Sequence, residues 1–202
     1  MKRGLYLVTP DLDDSARLLD ISRTAIRGGA TVLQYRHKTA AAALRLEQAR
    51  ALRALTHELG VSLIINDDLP LALQVAADGL HIGREDGELA AVLVAAPGLP
   101  VGISCYNDFE RARTAHAGGA AYVAFGAMYA SPTKPHAPSA PIDLIRRAKQ
   151  ELGANVACIG GITAANAAPL VAAGADWVAV ITDIYQAADP QAQAAKIAAL
   201  FR

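Results

Sequence analysis

The sequence predicts an α/β protein, a closed parallel (β/α)8 or TIM barrel folded as a single domain over residues 1–202. Three observations predict it. Eight short apolar runs, rich in β-branched residues, alternate with eight stretches of helical composition. The junctions Gly28-Gly29-Ala30, Gly118-Gly119-Ala120 and Ala173-Gly174-Ala175 repeat one device, glycine at a helix C′ position just ahead of a strand. Every polar strand end also falls on one side, the C-terminal rim where barrels keep their chemistry. The alternative is an open doubly wound sheet, disfavoured because no glycine-rich dinucleotide turn follows the first strand. At 202 residues the chain is compact for a barrel, long enough for one sizeable core and short for two.

The elements follow in order. Leu5-Tyr6-Leu7-Val8 is the first strand, and Asp13-Asp14-Ser15 supplies N-cap candidates for a helix running to Gly28-Gly29. Thr31-Val32-Leu33-Gln34 is the second strand, followed by a helix from Thr39 to Leu59, whose alanines favour it and which Gly60 terminates. Ser62-Leu63-Ile64-Ile65-Asn66 reads as a strand buried on both faces, and Asp67-Asp68 opens a short helix, Leu69 to Ala76. Gly79-Leu80-His81-Ile82 is the fourth strand, with a helix from Glu88 to Ala95. Pro100 to Ser104 is the fifth, with Asn107 or Asp108 capping a helix to His116. Ala121 to Phe125 is the sixth, and the irregular segment Gly126 to Pro141 after it is long enough to be functional. Ile142 to Leu152 is helical, Val156 to Ile159 a strand, Ala165 to Ala173 a helix, Trp177 to Val180 the eighth strand and Pro190 to Phe201 the closing helix.

Composition narrows the function classes. A formal net charge of zero offers no electrostatic footprint for nucleic acid or an anionic membrane, so any anion site must be local. The basic residues Lys2 and Arg3 precede an apolar run too short for a secretory signal, and no stretch approaches a membrane span. A soluble cytoplasmic protein is the expectation, and no feature sets an oligomeric state. Cys105 and Cys158 lack the spacing of a zinc site or a disulfide framework and read as buried free thiols.

The candidate chemistry collects at strand ends. Alternation along the second strand turns Gln34, Arg36 and Lys38 to one side, an amide and two cations suited to a polyanion, or else a solvated basic strand end. Asn66 and Asp67 follow the third strand, Asp86 the fourth and Ser104 the fifth. Two carboxylates beside two cations suit Mg²⁺, which takes few protein ligands and completes its shell with water and phosphate oxygens. The structural alternative makes Asp67 a helix cap beside Asp68 and Asp86 a turn residue. Ser131, Thr133 and Lys134 offer hydroxyls and an ammonium after the sixth strand. Gly160-Gly161 and Ile181-Thr182 offer backbone amides after the seventh and eighth, a recurrent phosphate site, although paired glycines also end strands for steric reasons. His81, between Leu80 and Ile82, reads as a structural histidine with satisfied nitrogens; His57 and His116 lie on helices, and no base is assigned to Cys105.

With these residues in place, the chain resembles the thiamin phosphate synthase family across essentially its whole length. The likeness rests on Tyr6 to Thr9, on Gln-x-Arg-x-Lys at Gln34 to Lys38 and on Ile65-Asn66-Asp67. It continues through His81 to Asp86, Ser131-Pro132-Thr133-Lys134, Pro138 to Pro141 and Ile159 to Ile162. The resemblance implies coupling of hydroxymethylpyrimidine diphosphate to a thiazole ethyl phosphate, plain or carboxylated, with release of diphosphate and Mg²⁺ bound. It implies that Gln34, Tyr35, Arg36, His37 and Lys38, with Asn66, Ser104 and Lys134, hold the pyrimidine diphosphate. Ser131, Thr133, Gly161, Ile181 and Thr182 would hold the thiazole phosphate, and Asp67 and Asp86 the metal. Arg36, Lys38 and Lys134 would be catalytic, stabilising the departing charge. Two departures from the pattern stand out: the loop after the sixth strand is one residue shorter between Pro132 and Thr133, and Thr182 replaces a common serine. Two alternatives are a thiazole tautomerase-like isomerase, in which histidine stands where this chain has Ala127, and a non-catalytic phosphate-ligand-binding barrel.

Overall fold

A computed structural model describes residues 1–84, 87–130 and 140–202. Eight parallel strands close a barrel in chain order: β1 (Gly4–Val8), β2 (Ala30–Tyr35), β3 (Ser62–Asn66), β4 (Gly79–Ile82), β5 (Val101–Tyr106), β6 (Tyr122–Phe125), β7 (Val156–Ile159) and β8 (Trp177–Val180). β8 pairs back onto β1, Leu5 opposite Val178. The surrounding helices are α1 (Ser15–Arg27), α2 (Ala42–Leu59), α3 (Leu69–Gln74), α4 (Leu89–Ala95), α5 (Phe109–Ala117), α6 (Asp143–Arg147), α7 (Ala168–Ala172), α8 (Thr182–Tyr185) and α9 (Pro190–Ala198). Among the described residues no helix is long and apolar enough to cross a membrane.

Strand alternation sorts the side chains into two cores. Leu5, Leu7, Leu33, Tyr35, Leu63 and Ile65 face the helices. Tyr6, Val8, Val32, Ile64, Tyr122 and Trp177 fill the barrel interior, with Ala124, Ala157 and Ala179 as the small residues between them. Burial on both faces is why the strands read as unbroken apolar runs. Local chemistry sets the helix starts: Asp14, Asp68, Asp108 and Asp189 each accept a first-turn amide of the helix they precede. At the repeated junctions the left-handed backbone falls on the residue just before alanine, with φ 110° at Gly29, 94° at Gly119 and 106° at Gly174.

Several elements differ from the sequence expectation for definable reasons. α2 starts at Ala42 rather than Thr39, since the amide of Ala40 donates to His37 Nδ1 and Ala41 is extended. α7 is shorter than expected because Asn166 ties its approach into a turn, accepting from the Thr163 amide and donating to the Gly161 carbonyl. The expected helix from Ile142 is α6 continued by a π-helical turn, Ala148–Leu152, that ends at left-handed Gly153. α8 was not expected, four residues being too few to show a period. β5 runs on to Tyr106 through a register shift against β6, which re-aims the chain just after Ser104.

The lower rim carries two matching clamps. Asp78, just before β4, accepts from the Leu63 amide of β3 at 2.7 Å and from Arg53 at 2.6 Å. Asp176, just before β8, accepts from the Val156 amide of β7 and from Lys149, both at 2.8 Å, and Arg3 lies 3.1 Å away. Each carboxylate satisfies a strand-end amide that the ladder leaves over.

Gly102 of β5 lies against the ring of Tyr122, which occupies the space a Cβ would need. Gly102→Ala should therefore destabilise the fold by about 1–3 kcal/mol through overpacking. An unchanged urea midpoint would show that the ring can give way. Cys105 and Cys158 are free and buried, and burial pushes the Cys105 thiol up to about 12 and raises Cys158 as well. Both stay protonated at pH 8, so a thiol reagent should label the unfolded chain and spare the native one. Rapid labelling of folded protein would contradict this burial.

Candidate active site at the C-terminal mouth

The turn after β1 organises the mouth. The Thr9 amide donates to the Gln34 carbonyl at 3.0 Å. Its hydroxyl donates to the Arg36 carbonyl and accepts from the Arg36 amide, both at 2.8 Å, so one side chain fixes the exit of β2. Asp11 completes this support. Its Oδ1 accepts from Arg36 Nη1 at 3.1 Å and from the Lys38 amide at 3.0 Å. The two loops are thereby locked together, with Arg36 held beside a carboxylate.

Lys38 reaches across to β3, where its Nζ lies 3.4 Å from Asp67 Oδ2. Asn66 donates to that same oxygen. The two adjacent aspartates have separate jobs. Asp68 caps α3, accepting from the Leu71 amide at 2.9 Å, and pairs with Arg45 at 3.1 Å. Asp67 adopts left-handed φ 63°, rare for a non-glycine residue, and its amide donates to the His81 carbonyl at 2.8 Å. The cap expected at this step is thus Asp68, and the Asp67 carboxylate is left to face Asn66 and Lys38. Lys38, Asn66 and Asp67 border a cleft of about 350 Å³.

Gln34 points into the barrel, where its Nε2 donates to the Tyr6 hydroxyl at 3.0 Å. Ser104 lies near the end of β5, just before its register shift, with its Oγ 2.9 Å from His81 Nε2. Two members of the expected substrate-binding stretch, Tyr35 and His37, are buried side chains with partners of their own. Tyr35, one residue from Gln34, alternates to the opposite face and donates to Gln48 of α2 at 3.0 Å, 2% exposed. His37 is buried under the loop: Nδ1 accepts from the Ala40 amide, and Nε2 lies 3.0 Å from Asp13 Oδ1, off the axis of a hydrogen bond. Both side chains support the rim, and both line the cleft that Lys38, Asn66 and Asp67 border. His81 fits its expected structural character, since both ring nitrogens have partners, Tyr122 and Ser104.

Across the mouth, β7 leads into Gly160 (φ 103°) and Gly161 (φ 64°). A Cβ at Gly161 would meet the carbonyls of Tyr129 and Ala130, and one at Gly160 would meet Ala127. The glycines therefore have a steric cause, the close approach of the chain leaving β6, whichever ligand their amides face. Ile181 and Thr182 lead into α8, where the Ile184 and Tyr185 amides donate to the Ile181 carbonyl and the Thr182 and Asp183 amides at the helix start have no intrahelical acceptor. Asp183 braces this corner by accepting from the Ala164 amide and from Gln193. Asp86, Ser131, Thr133 and Lys134 lie outside the described residues. Among the described residues no group of three or more His, Cys, Asp or Glu gathers as a ready metal cluster.

Sequence reasoning missed Thr9, Asp11, Tyr6 and Tyr122. Thr9 and Asp11 stand at the same rim as Arg36, Lys38, Asn66 and Asp67, and their place after the first strand was the available signal. Tyr6 sits mid-strand and Tyr122 opens β6, and in a strand a tyrosine looks like any other core residue.

Comparisons with known proteins bear on the family. The model of the thiamine monophosphate synthase family matches residues 5–184. The thiamine-phosphate synthase of Aromatoleum aromaticum is 51% identical over 200 residues, covering 98% of this chain and 96% of that protein. That of Bordetella avium is 52% identical over 204 residues, covering 98% and 94%. Among solved structures, a thiamine phosphate pyrophosphorylase from Pyrococcus furiosus superposes with a TM-score of 0.87 at 30% identity, covering 98% of this chain and 94% of that one. A 3-hexulose-6-phosphate synthase, at 19% identity and a TM-score of 0.74, shares the fold alone. On the strength of a family model that spans most of the barrel and relatives identical at half their positions, the chain belongs to the thiamine monophosphate synthase family.

Proposed function

We propose that this protein is a transferase that couples hydroxymethylpyrimidine diphosphate to a thiazole ethyl phosphate, plain or carboxylated, and releases diphosphate. Its family supports the overall reaction. The observation that carries the assignment of residues is the meeting of Lys38, just after β2, with Asn66 and Asp67 at the end of β3, next to an Arg36 that Asp11 holds. On this reading Gln34, Asn66 and Ser104 hold the pyrimidine, while Arg36, Lys38 and Lys134 hold its diphosphate. Gly161, Ile181 and Thr182, with Ser131 and Thr133, take the thiazole phosphate near the first-turn amides of α8.

The chemistry needs charge stabilisation and orientation more than proton transfer. The C–O bond to diphosphate breaks with its electron pair, leaving a methylene cation delocalised into the electron-rich aminopyrimidine. Arg36, Lys38 and Lys134 stabilise the negative charge as it develops on the leaving group. The thiazole nitrogen then supplies its lone pair to the methylene carbon, and the phosphate anchor orients that attack. No general base is required, in keeping with two buried thiols and a His81 engaged at both nitrogens. Mg²⁺ suits the donor set, a hard cation that accepts one or two carboxylates and completes its shell with water and substrate oxygens. Asp67 and Asp86 would hold it, and when bound it would supply further neutralisation of the diphosphate charge.

Arg36→Ala and Lys134→Ala should each lower kcat by on the order of 10²–10³-fold with an unchanged fold. Wild-type turnover in either folded variant would remove that residue from the site. Activity should be lost in excess chelator and restored by Mg²⁺, and Asp67→Ala should blunt the restoration. Asp68→Ala should lose about 1 kcal/mol of stability with its cap and keep the metal response. Full activity in chelator, or a reversal of the two aspartate phenotypes, would contradict the assignment.

A further inference from the structure

A continuous line of hydrogen bonds crosses the barrel interior. Gln34 of β2 donates through Nε2 to the Tyr6 hydroxyl of β1 at 3.0 Å. The hydroxyls of Tyr6 and Tyr122 of β6 are 2.8 Å apart. Tyr122 is 3.0 Å from His81 Nδ1 of β4, and His81 Nε2 is 2.9 Å from Ser104 Oγ of β5. Gln34, Tyr6, Tyr122 and His81 are 5%, 2%, 1% and 9% exposed. The line ends on Gln34 and Ser104, two residues proposed above to hold the pyrimidine.

Counting hydrogens gives the line a direction. Each contact admits one hydrogen. The Gln34 amide fills the first contact, so the Tyr6 hydrogen has a partner only if it points to Tyr122. The Tyr122 hydrogen must then point to His81 Nδ1. A neutral imidazole then carries its hydrogen on Nε2 and donates to Ser104. Burial raises the pKa of both tyrosines, so each keeps its hydrogen. Reversing one member alone would bury a hydrogen with no acceptor, so the line holds one sense as a unit. In the observed sense Gln34 Oε1 is left as an acceptor and the Ser104 hydroxyl as a donor, and neither group has a further partner among the described residues.

We propose that this buried line is a polarity relay that presents an acceptor at Gln34 and a donor at Ser104, selecting a ring with an amino group and an unprotonated nitrogen over its oxo counterpart. The identity of that ring rests on the proposed function. An amino N–H meets Gln34 Oε1 and a ring nitrogen accepts from Ser104. An oxo-pyrimidine sets acceptor against acceptor at Gln34, and its ring N–H forces the Ser104 hydroxyl to turn its own hydrogen away, a mismatch that a hydrogen-bonding site rejects. Tyr6, Tyr122 and His81 are positioning residues, acting through Gln34 and Ser104.

Two measurements test the relay. Long-range ¹⁵N NMR of the ligand-free protein, with His81 assigned by the signal missing in His81→Gln, should show a neutral ring protonated on Nε2. An Nδ1-protonated ring or an imidazolium would overturn the proposed sense. Steady-state kinetics with the aminopyrimidine diphosphate and its 4-oxo analogue form the second arm. Tyr6→Phe and Tyr122→Phe should raise KM for the amino substrate about tenfold with little change in kcat, and narrow the amino-over-oxo preference by on the order of tenfold. Unchanged preference in folded variants would overturn the relay, because a purely structural hydroxyl alters stability alone. If a phenylalanine variant fails to fold, the wild-type tautomer still decides the matter. A wild-type protein that turns over neither compound would remove the proposed function and the ring identity, while the NMR arm continues to judge the hydrogen-bond sense.

Discussion

The contact between the hydroxyls of Tyr6 and Tyr122, 2.8 Å apart at the centre of the barrel, constrains the rest of the interior. A buried phenol needs a partner for its polar end. Each of these finds the other across a gap of 116 residues in the chain. Their rings meet edge-on, His81 stacks on Tyr122 and Trp177 tilts against it. Space for that much aromatic volume comes from neighbours that give it up: Gly102 has no side chain, and Ala124, Ala157 and Ala179 supply the small faces. The interior is therefore a filled core with a polar thread through it, and its thread ends near the mouth.

The two rims divide their labour. Below, Asp78 and Asp176 satisfy strand-end amides and hold cations at the same time, tying β3 to β4 and β7 to β8. Asp176 is 5% exposed, so its bonds are worth more than those of a solvated pair. Above, Arg36 with Asp11 and Lys38 with Asp67 are partly solvated and individually weak. The buried clamps sit under the barrel and the candidate site on top of it, as the fold generally arranges stability and chemistry.

Much of the architecture was legible because its causes are local. β3, β4, β7 and β8 have the expected bounds, since glycine, aspartate or a cap brackets each apolar run. Asp14 and Asp108 act as the caps their positions suggested. The failures mark places where a distant partner decides. His37 delays α2 from outside the helix, Asn166 shortens α7 from the turn before it, and a four-residue helix carries no period. At the site, the stretch Gln34 to Lys38 was legible as a motif, whereas the partner of Tyr35, Gln48 of α2, was not. No local pattern announces that Tyr6 and Tyr122 touch, or that Asp11 will anchor Arg36 from another loop.

The pairing of Arg36 with Asp11 and of Lys38 with Asp67 has an electrical consequence for any visitor to the mouth. Neither cation stands bare, so an arriving anion is met by an exchange of partners rather than by unopposed attraction. Since exposed pairs of this kind are worth at most about 1 kcal/mol each, the exchange is easily driven by a ligand that engages both cations together. A stray chloride or a lone phosphate, reaching one of them, gains little over the carboxylate it displaces. On the function proposed above, the rim would thereby discriminate by how many charges a guest can deliver at once.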